Sequence, residues 1–306
     1  MEFRQLEAFV NAVKYKSFSK AADATFLTQP TISAHINNLE NELGVRLLNR
    51  SGREISLTPH GHEFYSYAVE LLNTRSRAVM SMKNLKEDLD GILEIQTSSI
   101  PGYFYLPQVM EEFHELFPRV RFYVEQSDSR LVNENLMNQR GELGFTGYKG
   151  GLCFEPVFYD EMVLITPDTD VYRIYQNGEA IPVELFINEP FIMREDGSGT
   201  RQEMEKALVY GKPVFKNVDV IARMSNPAAI KQVVSRGLGV SIVSEQVIKR
   251  TAEQDNIRYF RIRGLEKKRC FYLAHNKGAC LSPIAEHFLE FVREKASREL
   301  HEDGQL

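Results

Sequence analysis

Residues 28–38 read Thr28-Gln29-Pro30-Thr31-Ile32-Ser33-Ala34-His35-Ile36-Asn37-Asn38, a run in which apolar anchors alternate with hydrogen-bonding side chains. The amides of Gln29, Asn37 and Asn38 can pair bidentately with an adenine edge, Thr31 can touch a thymine methyl, and Ser33 can read a base or hold a phosphate. His35 shares their polar face, and Pro30 occupies the first helical turn. Arg50 and Arg53 enclose a Ser-Gly turn, from which guanidinium groups can reach phosphate oxygens. A second kind of chemistry lies in two hydroxyl-rich turns, Thr97-Ser98-Ser99-Ile100-Pro101-Gly102 and Arg194-Glu195-Asp196-Gly197-Ser198-Gly199-Thr200-Arg201. Each precedes a helix, whose first N–H groups and positive dipole end attract an anion. Facing one another, two such turns could clamp one small anionic ligand.

Enzymatic chemistry is poorly provided for. The chain contains no HExxH, GxSxG, phosphate-binding P-loop or CxxC run, and His60-Gly61-His62 has no further metal ligands nearby. A nucleophilic Ser198 would need a base, and no histidine is close to it in sequence. Gly237-Leu238-Gly239 lacks the third glycine and the following helix of a dinucleotide fingerprint. No cofactor and no metal are therefore expected. The alternative class is a small-molecule-binding protein or an enzyme using the same cleft.

The elements that must position these residues follow from periodicity. Leu6, Phe9, Val10 and Val13 form one stripe of a first helix. A second begins after Lys16, with Ser17 or Ser19 as cap and Ala21, Ala22 and Ala24 small enough for close packing. Thr28 caps a third, with Pro30 where its missing N–H costs nothing and with Ile32, Ile36, Leu39 and Leu43 as the apolar stripe. Gly44 ends it. Leu47-Leu48-Asn49 and Glu54-Ile55-Ser56-Leu57 then predict a small hairpin around Arg50–Arg53. Thr58-Pro59-His60-Gly61 opens a long helix, in which Phe64, Leu71, Ala78 and Leu85 alternate with Ala68, Arg75, Met82 and Leu89 as a heptad seam for a partner helix.

Beyond Asp90-Gly91 the pattern changes to short β runs between helices. The strands expected are 92–95, 121–124, 143–145, 162–165, 191–193, 218–221, 240–243 and 271–274. Such alternation predicts parallel α/β sheets in two subdomains with a cleft between them. Asn226 is the expected cap of a helix through Ile230 and Val233.

With 306 residues, 43% of them hydrophobic and 26% charged, the chain can bury a large core. Its formal charge of −5 carries no overall electrostatic footprint for nucleic acid or membrane. Residues 1–61 hold seven Lys and Arg against six Asp and Glu, so DNA contact must rest on local geometry. The three cysteines, Cys153, Cys270 and Cys280, are widely spaced and odd in number, which predicts no disulfide framework and a reducing, cytoplasmic compartment. No signal peptide and no membrane span are expected.

Phe18-Ser19-Lys20-Ala21-Ala22, Thr28-Gln29-Pro30-Thr31-Ile32-Ser33, the run from Ile36 to Arg50 and Leu57-Thr58-Pro59-His60-Gly61 resemble the N-terminal signature of LysR-type transcriptional regulators. The resemblance implies a winged helix-turn-helix over residues 1–61, with the helix-turn-helix at 18–37, and a linker and dimerisation helix over 62–90. It further implies an α/β effector domain over 91–306, built of two Rossmann-like lobes like a type 2 periplasmic binding protein. Lobe I would span about 91–161 and 266–306, and lobe II about 162–265. By the same resemblance, promoter DNA meets Gln29, Pro30, Thr31, Ser33, His35, Asn37, Asn38, Arg50 and Arg53. A small effector, an oxyanion or carboxylate, binds at Ser98, Ser99, Ile100, Thr146, Ser198, Gly199, Thr200 and Asn226, and the chain assembles as a homodimer or homotetramer. Ala34 stands where many members carry arginine, and Leu48 where phenylalanine is usual.

Overall fold

A computed structural model describes residues 1–49, 55–83, 89–209, 211–248, 256–265 and 268–302. Three helices open the chain, α1 (Phe3–Tyr15), α2 (Phe18–Thr25) and α3 (Gln29–Leu43). Their ends are set by local chemistry. Glu2 and Gln5 form a reciprocal capping box on α1, Ser17 accepts from the Lys20 N–H at the start of α2, and Thr28 accepts from the Thr31 N–H at the start of α3. Ser17 rather than Ser19 is the cap, and Gly44 closes α3 with φ of 70°. Leu6, Phe9, Ala12, Ala21, Ala22, Ile32, Ile36 and Leu39 fuse the three helices into one core, whereas Leu43 and Ala24 face solvent. Leu48 is buried in the same core, so the residue that departs from the usual phenylalanine is a packing substitution.

The hairpin is present as β1 (Leu48–Asn49) paired antiparallel with β2 (Ser56–Leu57). Arg50 and Arg53 lie outside the described residues. Helix α4 (Pro59–Lys83) follows. The expected seam divides along its length. Phe64 and Ala68 pack on the first core, with the Phe9 and Phe64 rings 5.8 Å apart, while Leu71, Arg75 and Ala78 are exposed. Leu85 lies outside the described residues, as does the side chain of Met82. Leu89 is not on a helix; it is buried in the core of the following half.

That half runs β3 (Gly91–Ser98), α5 (Ser99–Phe104), α6 (Leu106–Leu116), β4 (Val120–Ser127), α7 (Ser129–Met137), β5 (Leu143–Thr146), β6 (Cys153–Asp160), β7 (Met162–Pro167) and α8 (Asp170–Arg173). It continues through β8 (Ala180–Ile181), β9 (Phe191–Arg194), α9 (Gly199–Lys206), β10 (Val220–Met224), α10 (Pro227–Ser235), β11 (Ser241–Ser244), β12 (Ile257–Ile262), β13 (Arg269–His275) and α11 (Pro283–Glu302). One sheet has the order β4-β3-β5-β13-β6 and a second β11-β7-β12-β8. The β9–β10 pair joins the second sheet through a parallel bridge between Phe191 and Val240.

The expectation of wholly parallel sheets is corrected. β13 runs antiparallel to both β5 and β6, and β7 antiparallel to β11 and β12. Chain direction leaves no trace in side-chain periodicity, which reports only which face is buried. β6, β8 and β12 were not foreseen, because polar residues interrupt the runs of β6 and β12 and β8 is only two residues long. The strand expected at 218–221 starts two residues later, and the one expected at 240–243 starts at Ser241. Phe113, Phe145 and Phe288 anchor the first sheet's core, with Phe113 and Phe288 stacked edge to face at 5.0 Å; Phe186, Phe191, Phe215 and Phe260 anchor the second.

Candidate functional site

The N-terminal surface is built by α3. Its apolar stripe is turned inward, so Gln29, Pro30 and Asn38 are exposed and Thr31, Ser33, His35 and Asn37 half-exposed along its outer side. The Thr28 and Thr31 hydroxyls bond each other at 2.8 Å, which commits Thr31 partly to the cap. Ala34 is also exposed, so the surface lacks a cation there. Position after the helix is enforced by Glu40, a residue that periodicity did not single out. Its carboxylate is 2% exposed and accepts from the Leu47 N–H at 2.8 Å, the Leu48 N–H at 3.1 Å and Arg46 Nη1 at 2.8 Å. Thr58 completes the junction: its hydroxyl donates to the Arg46 carbonyl at 2.6 Å and accepts from the Gly61 N–H at 2.9 Å.

The second site lies where the two sheets meet. Ser98 at the end of β3, with Ser99 and Ile100 at the start of α5, faces Ser198, Gly199 and Thr200 at the start of α9 across a narrow cleft. Six of the eight expected effector residues thus come together. Thr146 is fully buried one step behind, where its hydroxyl donates to the Ser129 carbonyl at 3.4 Å and accepts from the Tyr148 N–H at 3.2 Å. Asn226 does not line the cleft. Its side-chain oxygen accepts from the Ala228 and Ala229 N–H groups at 2.9 and 3.3 Å, so it is spent on capping α10.

Asp128, Ser129, Arg194, Glu195 and Phe271 complete the lining and were not singled out from the sequence. Arg194, 5% exposed, donates through Nε and Nη2 to the two Glu195 carboxylate oxygens, both at 2.8 Å, and through Nη2 to Ser99 Oγ at 3.1 Å. In sequence it only opens the hydroxyl-rich turn that precedes α9; burial places it in the cleft wall. Ser98 Oγ is buried without a hydrogen-bond partner, and Ser198 makes no side-chain cap on α9. Both are places where a ligand oxygen would be satisfied. Gly197 lets the turn approach Asp128 closely, since a Cβ would meet the Asp128 carboxylate at 2.2 Å and push that side chain aside. Its carbonyl accepts from the Arg130 N–H at 3.3 Å, a second bond across the cleft.

Behind Thr200 lies a buried charged network. Arg269 donates through Nε to Asp160 at 2.8 Å and through Nη1 to Thr200 Oγ1 at 2.8 Å, and Ser244 Oγ donates to Asp160 at 2.8 Å. Hydrogen-bonded Glu205, with Asp196 adding to it, holds the Arg201 guanidinium above its ordinary value, so that cation is engaged on its own helix and turn. Among the described residues no cluster of His, Cys, Asp and Glu could hold a metal ion, and no helix is long and apolar enough to cross a membrane.

Residues 3–62 match the family model described as bacterial regulatory helix-turn-helix protein, lysR family, and residues 86–297 match the LysR substrate binding domain. A transcriptional regulator of Methanocaldococcus jannaschii, itself uncharacterized, is 31% identical over 94% of this chain and 96% of its own. Full-length OxyR of Pseudomonas aeruginosa, solved as a cysteine-to-aspartate variant, has the same fold with a TM-score of 0.77 at 18% identity, covering 97% of each chain. The regulatory domain of CcmR from Synechocystis, solved with 2-PG, superposes with a TM-score of 0.60 at 24% identity over 68% of this chain and 98% of its own. The chain belongs to the LysR-type transcriptional regulators, a family of DNA-binding proteins with an effector-binding domain and not of enzymes.

Proposed function

We propose that this regulator reads promoter DNA through the outer side of α3 and the β1–β2 wing, and that a small anion in the cleft between β3 and α9 controls it. The contact set on DNA is Gln29, Pro30, Thr31, Ser33, His35, Asn37 and Asn38, with Arg50 and Arg53 on phosphate. The effector set is Ser98, Ser99, Ile100, Ser198, Gly199 and Thr200, with Thr146 behind them. The observation that carries the reading is the meeting of two hydroxyl-bearing turns, far apart in sequence, around one buried guanidinium and one unpartnered hydroxyl. CcmR's capture of 2-PG in a domain of the same fold supports a small ligand.

We assign residues 1–61 to DNA binding, 62–90 to the linker and 91–306 to effector binding, with lobes at 91–161 and 266–306 and at 162–265. The strand memberships of the two sheets support the lobe division. LysR-type regulators form oligomers; here a homodimer or homotetramer would use the exposed Tyr67, Leu71 and Val79 of α4. A cytoplasmic location accords with promoter DNA as the partner. A ligand that prefers one arrangement of the lobes shifts the population of dimer packings, and so the spacing and bending of bound DNA.

The test is thermal unfolding against sulfate, thiosulfate, phosphate, carboxylates and amino-acid derivatives, with Ser99→Ala as control. A ligand at about 100 times its Kd stabilises by roughly 2.7 kcal/mol. A shift of several degrees that Ser99→Ala loses is expected; an equal shift in the control would place the ligand elsewhere.

A further inference from the structure

Arg194 is a full positive charge with almost no solvent, and what neutralises it is its own neighbour in sequence. Glu195 presents both carboxylate oxygens to Nε and Nη2 at 2.8 Å, the side-on fork by which a guanidinium recognises a free carboxylate. On the opposite wall Ser98 Oγ is buried and unpartnered, and Ser99 Oγ already takes a bond from Arg194 Nη2 at 3.1 Å. The remaining charged group facing this point is Asp128, half-buried on the lining and bonded to the Leu131 N–H at 2.9 Å.

A carboxylate entering with Glu195 in place would set a second carboxylate against one guanidinium, with Asp128 already on the same lining, an arrangement that Coulomb repulsion in a desolvated cleft disfavours. An anion that takes the place of Glu195 keeps the charge balance and finds the Ser98 hydroxyl free. Glu195 is the member able to leave, because its side chain is 25% exposed against 5% for Arg194.

We propose that Glu195 is a resident carboxylate, seated on Arg194 where the effector's own carboxylate binds, so that the cleft selects a small carboxylate by exchange. The inference rests on reading the cleft as the effector site and adds the chemical class and the competitor. Exchange also reaches the lobe contact: the Glu195 carbonyl accepts from the Ser198 N–H at 3.1 Å, and the same turn carries the Gly197 carbonyl bonded to Arg130 across the cleft.

Chemical rescue of the full-length protein tests this. In an anion-poor buffer Glu195→Ala should unfold several degrees below wild type, since Arg194 loses its carboxylate. Sodium formate should restore the midpoint saturably, at a half-effective concentration at least about tenfold below any effect on wild type. The Arg194→Gln/Glu195→Ala double variant should not respond, and sodium sulfate at matched ionic strength should restore less than formate. Glu195→Gln, which keeps the side-chain volume, should show the same tenfold gain for formate should the alanine variant fail to fold. Equal formate effects on wild type, both single variants and the double variant would overturn the proposal, as would sulfate rescue equal to formate. Hits in the anion screen without formate rescue would overturn the exchange and leave the cleft reading intact. Rescue alongside an empty screen would uphold the carboxylate seat on Arg194, the effector then being a carboxylate outside the panel.

Discussion

Single residues carry two separable kinds of work in the N-terminal domain. Gln29 is exposed at the start of α3 and makes no contribution to the core, so its replacement should act on recognition alone. Gln29→Ala is expected to weaken binding to a DNA fragment selected by this protein by about 1–3 kcal/mol, with binding to random DNA nearly unchanged. Fluorescence anisotropy on both DNAs checks this, and equal losses would show that Gln29 reads no base. Glu40 does the opposite kind of work. Its carboxylate satisfies two N–H groups at residues that are themselves buried, Leu47 and Leu48. Glu40→Ala should therefore destabilise the fold by about 2–4 kcal/mol in urea unfolding. Glu40→Gln, which keeps an acceptor, should cost clearly less.

At the scale of elements, the wing is placed by its close approach to the start of α4. A Cβ on Gly61 would lie 2.0 Å from the Leu47 carbonyl oxygen, a backbone atom that cannot swing aside. Gly61→Ala should force the two segments apart, costing about 1–3 kcal/mol and lowering affinity for selected DNA because the wing no longer sits beside α3. Unfolding and anisotropy on one preparation measure both; full stability with unchanged affinity would refute the argument. Helix α4 divides its apolar residues along its length. Its first turns complete the DNA-binding core, while Leu71 and Val79 further along remain open.

For the whole molecule, the link between its two halves gathers at Glu142. This carboxylate accepts from the Ser282 N–H at 2.6 Å and the Ser282 hydroxyl at 2.8 Å, and more weakly from Asn73 Nδ2 of α4 at 3.3 Å. Lys14 of α1 pairs with Glu94 and lowers the Glu142 pKa electrostatically, while Glu286 raises it. Burial outweighs the hydrogen bonds from Ser282 and pushes Glu142 above the usual carboxylate value. A raised folded pKa means that the folded state holds the proton more tightly than the unfolded chain. Stability from this group is then full below the unfolded value and falls as pH rises through the folded one. Glu142→Gln should gain on wild type as pH is raised from 4 to 7.5 in urea unfolding. A constant difference between the two proteins across that range would show that Glu142 does not titrate as the fold requires.

Much of the N-terminal half was legible in the residue order because the interactions that set it are local. Caps at Ser17 and Thr28, the stop at Gly44 and the stripe through Ile32, Ile36 and Leu39 each need only neighbours within a turn or two. The hydroxyls at Ser98, Ser99, Ser198 and Thr200 were visible for the same reason, as turns feeding helices. What tertiary structure decided is everything that depends on segments distant in sequence. Strand direction at β13 and β7 is set by where the chain returns between the sheets, and side-chain alternation is identical for either direction. Asn226 keeps the local cap that its sequence context predicts and does not reach the cleft, whereas Thr146 was drawn into a buried bond with the distant Ser129 carbonyl. Arg194 and Glu195 stood in the sequence only as the opening of a hydroxyl-rich turn, and only the meeting of the end of β9 with the end of β3 turned one of them into a buried cation and the other into its carboxylate. Desolvation, which makes a charge matter, is a property of the assembled fold and has no signature in a stretch of eight residues.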